Sequence, residues 1–180
     1  KVVSTVTGSA AANDHFGAAV AVDGPLVAVG LPADATDKGR VLLYAALPNG
    51  AWGVVANIQP ATVVNGDFFG TAVSVSGETL VVGAPGEDHA SAGPDSGSIY
   101  VFERDASGQY PQAARLNAPV GGLVGGAKFG SRVVLRGDIG LVGAPNDSAL
   151  ATNAGAAFML QRKSDGTWAM TTQFRPPEST

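Results

Sequence analysis

The sequence contains no cysteine. That excludes a disulfide framework and thiolate chemistry, and it leaves the redox compartment unread. Charge is scarce at 14% of residues, and aromatics are scarcer at 7%. The low charge does not come from a membrane segment, because no run approaches the roughly 18 consecutive apolar residues of a spanning helix. Basic residues number 11 against 15 acidic ones, for a net charge of -4. Nucleic-acid binding in general needs a basic footprint, so that class is set aside. Catalytic signatures are missing too: there is no HExxH, no P-loop and no Ser-His-Asp context, and nothing points to hydride transfer. The chain is therefore read as a non-enzyme. It opens on Lys1-Val2-Val3, which reads as a strand and not as a cleavable signal; the expectation is a mature product or a fragment.

What is abundant is glycine, 25 of 180 residues, spread through short apolar runs. That suits many strands and tight turns. The glycines also recur at fixed spacing. Phe16-Gly17, Phe69-Gly70 and Phe129-Gly130 each precede, by 14 residues from the Phe, a glycine that opens a GAP-like triplet: Gly30-Leu31-Pro32, Gly83-Ala84-Pro85 and Gly143-Ala144-Pro145. A second fixed interval, 13 residues, separates Gly39, Gly97 and Gly155 from Trp52, Tyr110 and Trp168. Three matches at each of two spacings make a repeat, and a repeat governs the fold reading.

Within each repeat the pattern predicts four strands. The first two join at Asp23-Gly24, Ser76-Gly77 and Arg136-Gly137, which is favoured hairpin chemistry. The third runs from Gly39 to Tyr44, from Gly97 to Phe102 and from Gly155 to Leu160; the fourth starts at Trp52, Tyr110 and Trp168. The stretch 33–38 reads as a loop. Residues 2–7 read as one further strand, the outer strand of a preceding blade. Four antiparallel strands per repeat are the signature of a propeller blade. The fold class is thus all-β: three four-stranded antiparallel repeats plus one extra N-terminal strand, forming a partial β-propeller over 1–180. Residues 1–15 supply the outer strand of a preceding blade and its connector. Blade one covers 16–60, blade two 69–119 and blade three 129–176. The glycine after each Phe is expected where neighbouring backbones crowd together, and Trp52, Tyr110 and Trp168 where gaps between blades need filling. Closed propellers need roughly four to eight blades, so three are not expected to close; a segment of a longer, seven-bladed propeller is favoured over association of copies.

These motifs resemble the FG-GAP repeat family, known from the seven-bladed head of integrin α subunits. They are more similar to the bacterial and algal type, FGxxVxVxGxxLxVGAP followed by a loop and GxxYxF. Blade two fits fully. Leu31 replaces Ala in blade one, and Phe158 replaces Tyr in blade three. The resemblance implies calcium in a DxDxDG-like hairpin between FG and GAP, but the hairpins at 23–25, 76–78 and 136–138 each offer one carboxylate at most. Calcium takes roughly six to eight oxygens, so the integrin-type metal site does not carry over.

The loops opposite those hairpins collect acids: Asp14, Asp34, Asp37, Asp67, Glu87, Asp88, Asp95 and Asp147, with His15 and His89 beside them and only Lys38 and Lys128 in opposition. This is read as a ligand-binding face that attracts a cation or a basic partner, weighed against acids kept for solubility and turns. Glu87, Asp88 and Asp95 form the densest group and are weak candidate calcium ligands. Asp14 and Asp67 as a glycosidase pair are a minor reading, because both stand at one repeat position before Phe. Arg136-Gly137-Asp138 is an adhesion tripeptide by letter and a hairpin turn by position. Asn146-Asp147-Ser148 is a glycosylation sequon at Asn146. The expected function is an extracellular or cell-surface adhesion module that presents loops to a protein or glycan. The alternative is a structural unit that joins further blades or copies of itself; a hydrolase-associated propeller is the minor option.

Overall fold

The structure is a computed structural model, and it describes residues 11–117 and 125–177. The strand expected at 2–7 lies outside the described residues. Among the described residues, twelve strands form three four-stranded antiparallel sheets, each in simple sequence order from innermost to outermost. Blade one holds β1 (Ala19–Asp23), β2 (Leu26–Leu31), β3 (Arg40–Ala46) and β4 (Trp52–Ile58). Blade two holds β5 (Ala72–Ser76), β6 (Thr79–Ala84), β7 (Ser98–Glu103) and β8 (Gln112–Asn117). Blade three holds β9 (Arg132–Arg136), β10 (Ile139–Ala144), β11 (Ala156–Arg162) and β12 (Trp168–Phe174). The strand placed at Tyr110 begins two residues later, beyond Pro111, whose nitrogen cannot donate to a ladder. The stretch 33–38, expected as plain loop, contains a single tight turn at Asp34–Asp37, with Ala35, Thr36 and Asp37 at positive φ.

Register explains the hairpins. Asp23 pairs with Leu26, Ser76 with Thr79 and Arg136 with Ile139, leaving two-residue turns led by Gly24, Gly77 and Gly137 at φ between 53° and 58°. Turns of this kind need a left-handed residue, which glycine adopts without steric cost.

The blades meet face to face at two joints. One core joins blades one and two through Ala28, Val41 and Leu43 on one side and Phe69, Val73, Val75, Leu80, Val82 and Tyr100 on the other. A second joins blades two and three through Val81, Ile99 and Val101 against Phe129, Leu135, Val142, Phe158 and Trp168. Each joint is keyed by backbone. The Phe69 amide donates to the Lys38 carbonyl at 2.9 Å, and the Phe129 amide to the Ser96 carbonyl at 3.0 Å. These bonds make short parallel bridges, Gly39 to Phe69 and Gly97 to Phe129. The triplet glycines permit the approach. A Cβ on Gly30 would lie 2.1 Å from the Gly70 carbonyl oxygen, and one on Gly83 would lie 1.9 Å from that of Gly130. Across the hairpins, the Gly77 amide donates to Asp23 Oδ2 at 2.6 Å, and the Gly137 amide to Ser76 Oγ at 2.9 Å.

The three blades do not close into a ring. On the free side of blade one, Phe16 is 47% exposed, Val20 67% and Val22 69%, whereas their counterparts in blade two, Phe69, Val73 and Val75, are at 0%, 8% and 7%. On the free side of blade three, Val134, Ile139 and Leu141 are exposed, and a Cβ on Gly143 would meet nothing closer than Arg132 Cβ at 3.5 Å.

Candidate functional site

The acidic loops emerge at one end of the blades, opposite the hairpins. Their carboxylates fall into three repeated roles. Asp34, Glu87 and Asp147 follow the triplet in each blade and each faces a guanidinium. Arg40 Nη2 lies 3.2 Å from Asp34, Arg115 forms an ion pair with Glu87, and Arg175 Nη2 lies 3.2 Å from Asp147. Glu87 and Asp147 are buried. The Tyr100 hydroxyl also donates to Glu87, at 3.0 Å, and burial pushes that phenol up to about 12. Charge-assisted pairs of this kind offset the cost of burying a carboxylate.

Asp14 and Asp67 stand before the Phe of each connector, and both are buried. Asp67 Oδ2 accepts from the Val64 amide at 2.7 Å, and Asp14 accepts from the Ala11 amide. Each locks the turn before its Phe, and in the second connector that turn delivers Phe69 to blade one. The two sit in different connectors, each beside the carboxylate of its own blade: Asp14 by Asp34, and Asp67 by Glu87. Burial holds the Asp34 carboxyl above its usual range, against the pull of Arg40 and with the push of Asp14. Burial likewise raises Asp67, with the Val64 bond opposing it and Glu87 adding to it.

Asp37 and Asp95 play the third role. Both have positive φ, a conformation that short polar side chains tolerate better than others. Their carbonyls receive the next connector: Phe68 donates to Asp37 at 2.9 Å, and Lys128 to Asp95 at 3.1 Å. Asp88 is exposed, and its Oδ1 accepts from the Asp95 amide at 2.8 Å. The Asp95 carboxylate pairs with Lys128 at 2.8 Å. Glu87 thus engages Arg115 and Tyr100, Asp88 the Asp95 amide, and Asp95 Lys128. Among the described residues no group of three or more His, Asp or Glu side chains is placed to hold a metal ion. His89 is half-buried, with Nε2 2.7 Å from Ser98 Oγ; His15 is exposed in the first connector. Asn146 is exposed on its loop, and Arg136-Gly137-Asp138 forms the β9–β10 hairpin.

The arginines change the electrostatic picture of this end. Besides Lys38 and Lys128, Arg40, Arg115 and Arg175 reach in from β3, from β8 and from just past β12. A signal was available in the spacing. Glu87 and Asp147 are 60 residues apart, and so are Arg115 and Arg175.

Because Asp67 is more basic in the fold than in the unfolded chain, its contribution to stability is largest below the unfolded value near 3.8 and is lost as pH rises through the folded one. An Asp67→Asn variant keeps an acceptor for Val64 without the buried charge. We expect it to match or exceed the parent in stability at pH 7 and to lose that advantage toward pH 4. Urea midpoints for both proteins across that range test this.

Comparison with known proteins agrees with the geometry. Residues 52–102, from β4 through β7, match the model of the FG-GAP repeat. No curated protein matches the chain. Among solved structures it is similar to Sqt1 from Chaetomium thermophilum, with a TM-score of 0.56 at 12% identity. That alignment covers 92% of this chain and 38% of the Sqt1 chain. At such identity the likeness speaks for the β-propeller-like fold alone; the chain spans well under half the length of that relative.

Proposed function

We propose that the chain works as a three-blade segment of a larger β-propeller, joining further FG-bearing blades through its two free faces, and that the assembled loops bind a protein or glycan at the cell exterior. One observation carries this reading: Val20 and Val22 are exposed at positions where Val73 and Val75 are buried in a joint. The free faces keep most of the joint chemistry. Gly143 and Gly155 stand where Gly83 and Gly97 receive the next Phe-Gly, and Phe16-Gly17 stands where Phe69-Gly70 and Phe129-Gly130 plug in. Soluble monomers rarely leave contiguous apolar faces open beyond about a few hundred Å².

The face of blade three departs from the other two in its inner strand. Arg132 and Arg136 replace Ala72 and Ser76 of blade two. Arginine cannot accept the hairpin amide that Ser76 accepts, so a blade docking here brings an acceptor or a carboxylate of its own.

Two variants test the joining. Val22→Asp spoils one face and Leu141→Asp the other. Each alone should lower concentration-dependent association, while an equimolar mixture should associate more than either, since each variant keeps one intact face. Association unchanged by both substitutions would contradict the reading.

A further inference from the structure

The two joints differ at their hairpin ends. Between blades two and three the end is filled by a polar network. Glu103 of blade two accepts from Trp168 Nε1 at 2.9 Å and from Arg162 Nη2 at 3.3 Å, both of blade three. The repeat places Ala45, Arg104 and Tyr110 at the matching positions between blades one and two, each 58 residues earlier than Glu103, Arg162 and Trp168. With alanine in place of the glutamate and tyrosine in place of the tryptophan, a cavity of about 630 Å³ remains, lined by Ala45, Tyr110, Arg104, Glu78, Asp23 and Val55 among others. Its polar groups are incompletely used. The Tyr110 hydroxyl oxygen is buried and has no hydrogen-bond partner among the described residues. Arg104 Nη1 reaches Glu78 of its own blade at 3.1 Å, with no counterpart to Glu103 across the joint.

We propose that this cavity is a binding site for a small hydroxylated carboxylate, about the size of one sugar-acid residue. The chain supplies its own template: in the sister joint a carboxylate occupies this place, held by an arginine and an aromatic donor. A ligand carboxylate there accepts from Arg104 and, once the Tyr110 ring turns its covered oxygen toward the cavity, from that hydroxyl as well, replacing the missing Glu103 equivalent. The cavity also presents two acids. Asp23 receives the Gly77 amide on Oδ2 and Glu78 receives Arg104 on Oε1, and each carboxylate retains lone pairs for ligand hydroxyls. A bare fatty carboxylate meets Asp23 and Glu78 unfavourably, whereas hydroxyl donors turn both into partners. Val55, Leu26 and Pro25 supply the apolar wall, and the volume suits a small-molecule pocket.

The test is an NMR titration of the full chain with glucuronate, read at the Gly77 and Gly108 amides on the cavity wall. Saturable shifts are expected at both. Glucose, which lacks the carboxylate, and butyrate, which lacks the hydroxyls, should each bind about tenfold more weakly. Ala45→Glu restores the sister network, so it should abolish glucuronate binding and raise the melting temperature. Tyr110→Phe should weaken binding about tenfold. The proposal is overturned if glucuronate gives no saturable shift, if either fragment binds as tightly, or if Ala45→Glu binds as the parent does. Should Ala45→Glu fail to fold, unchanged affinity in Tyr110→Phe overturns it.

Discussion

Gly83→Ala should destabilise the chain by about 3 kcal/mol or more, while Gly143→Ala, the same change at the same repeat position, should fall within about 0.5 kcal/mol of the parent. Neither glycine has a positive φ, so backbone strain does not enter. The contrast lies in what faces the new methyl group. At Gly83 it would sit 1.9 Å from the Gly130 carbonyl oxygen; Gly83 is fixed in the β5–β6 ladder, and the Gly130 amide is tied to the Gly143 carbonyl at 3.0 Å. Relief requires blades two and three to part, which exposes the core around Val81, Ile99 and Phe129. At Gly143 the nearest heavy atom is Arg132 Cβ at 3.5 Å, an ordinary contact. Urea denaturation of the two variants measures both costs. Equal effects would mean that the free side of blade three is occupied, or that the joint between blades two and three is looser than the 1.9 Å approach at Gly83 implies. Gly143→Ala has a second use: it should weaken association of the free face while leaving the fold intact.

The next largest effect is expected from Arg115→Ala, about 2 to 3 kcal/mol. The loss removes the cation from Glu87, which is buried and, among the described residues, keeps only the Tyr100 hydroxyl as a side-chain donor. A buried carboxylate without its counter-ion bears the desolvation cost alone. Arg115 is partly exposed, so the effect should sit below that of a fully buried pair. It also stacks over the Tyr100 ring at 5.8 Å, and truncation forfeits that contact as well. Adding Glu87→Gln to Arg115→Ala should recover part of the loss, because a neutral amide can still accept from Tyr100. Chemical denaturation of the two single variants and the double variant checks this; no recovery in the double variant would place the cost in the packing of Arg115 and not in the charge.

The blades were legible because their determinants are local. A Gly at each hairpin, a Pro closing each triplet and alternation between them specify strand and turn within about a dozen residues. The glycine at 30, 83 and 143 was legible as a repeat position, but its task was not: at Gly30 and Gly83 the close approach involves the carbonyl of Gly70 and of Gly130, in the next blade. The charge balance of the acidic end is hard to read from sequence for a similar reason. Its carboxylates lie in loops, where acids are easily counted, while two of their guanidinium partners arrive from an outer strand and from the segment just past one. Only matching the 60-residue offsets of Glu87 with Asp147 and Arg115 with Arg175 would have paired them. The cavity at Tyr110 was least visible. It arises from a difference between joints, Ala45 against Glu103, and becomes apparent only when the blades are superposed on their neighbours.

The two free blade faces are expected to seek partners. Sedimentation equilibrium of the unmodified chain over a wide concentration range tests this most directly. The expected result is an average mass that rises above that of one chain as concentration increases, with the rise suppressed in Val22→Asp and Leu141→Asp. A mass fixed at one chain throughout the range would contradict it.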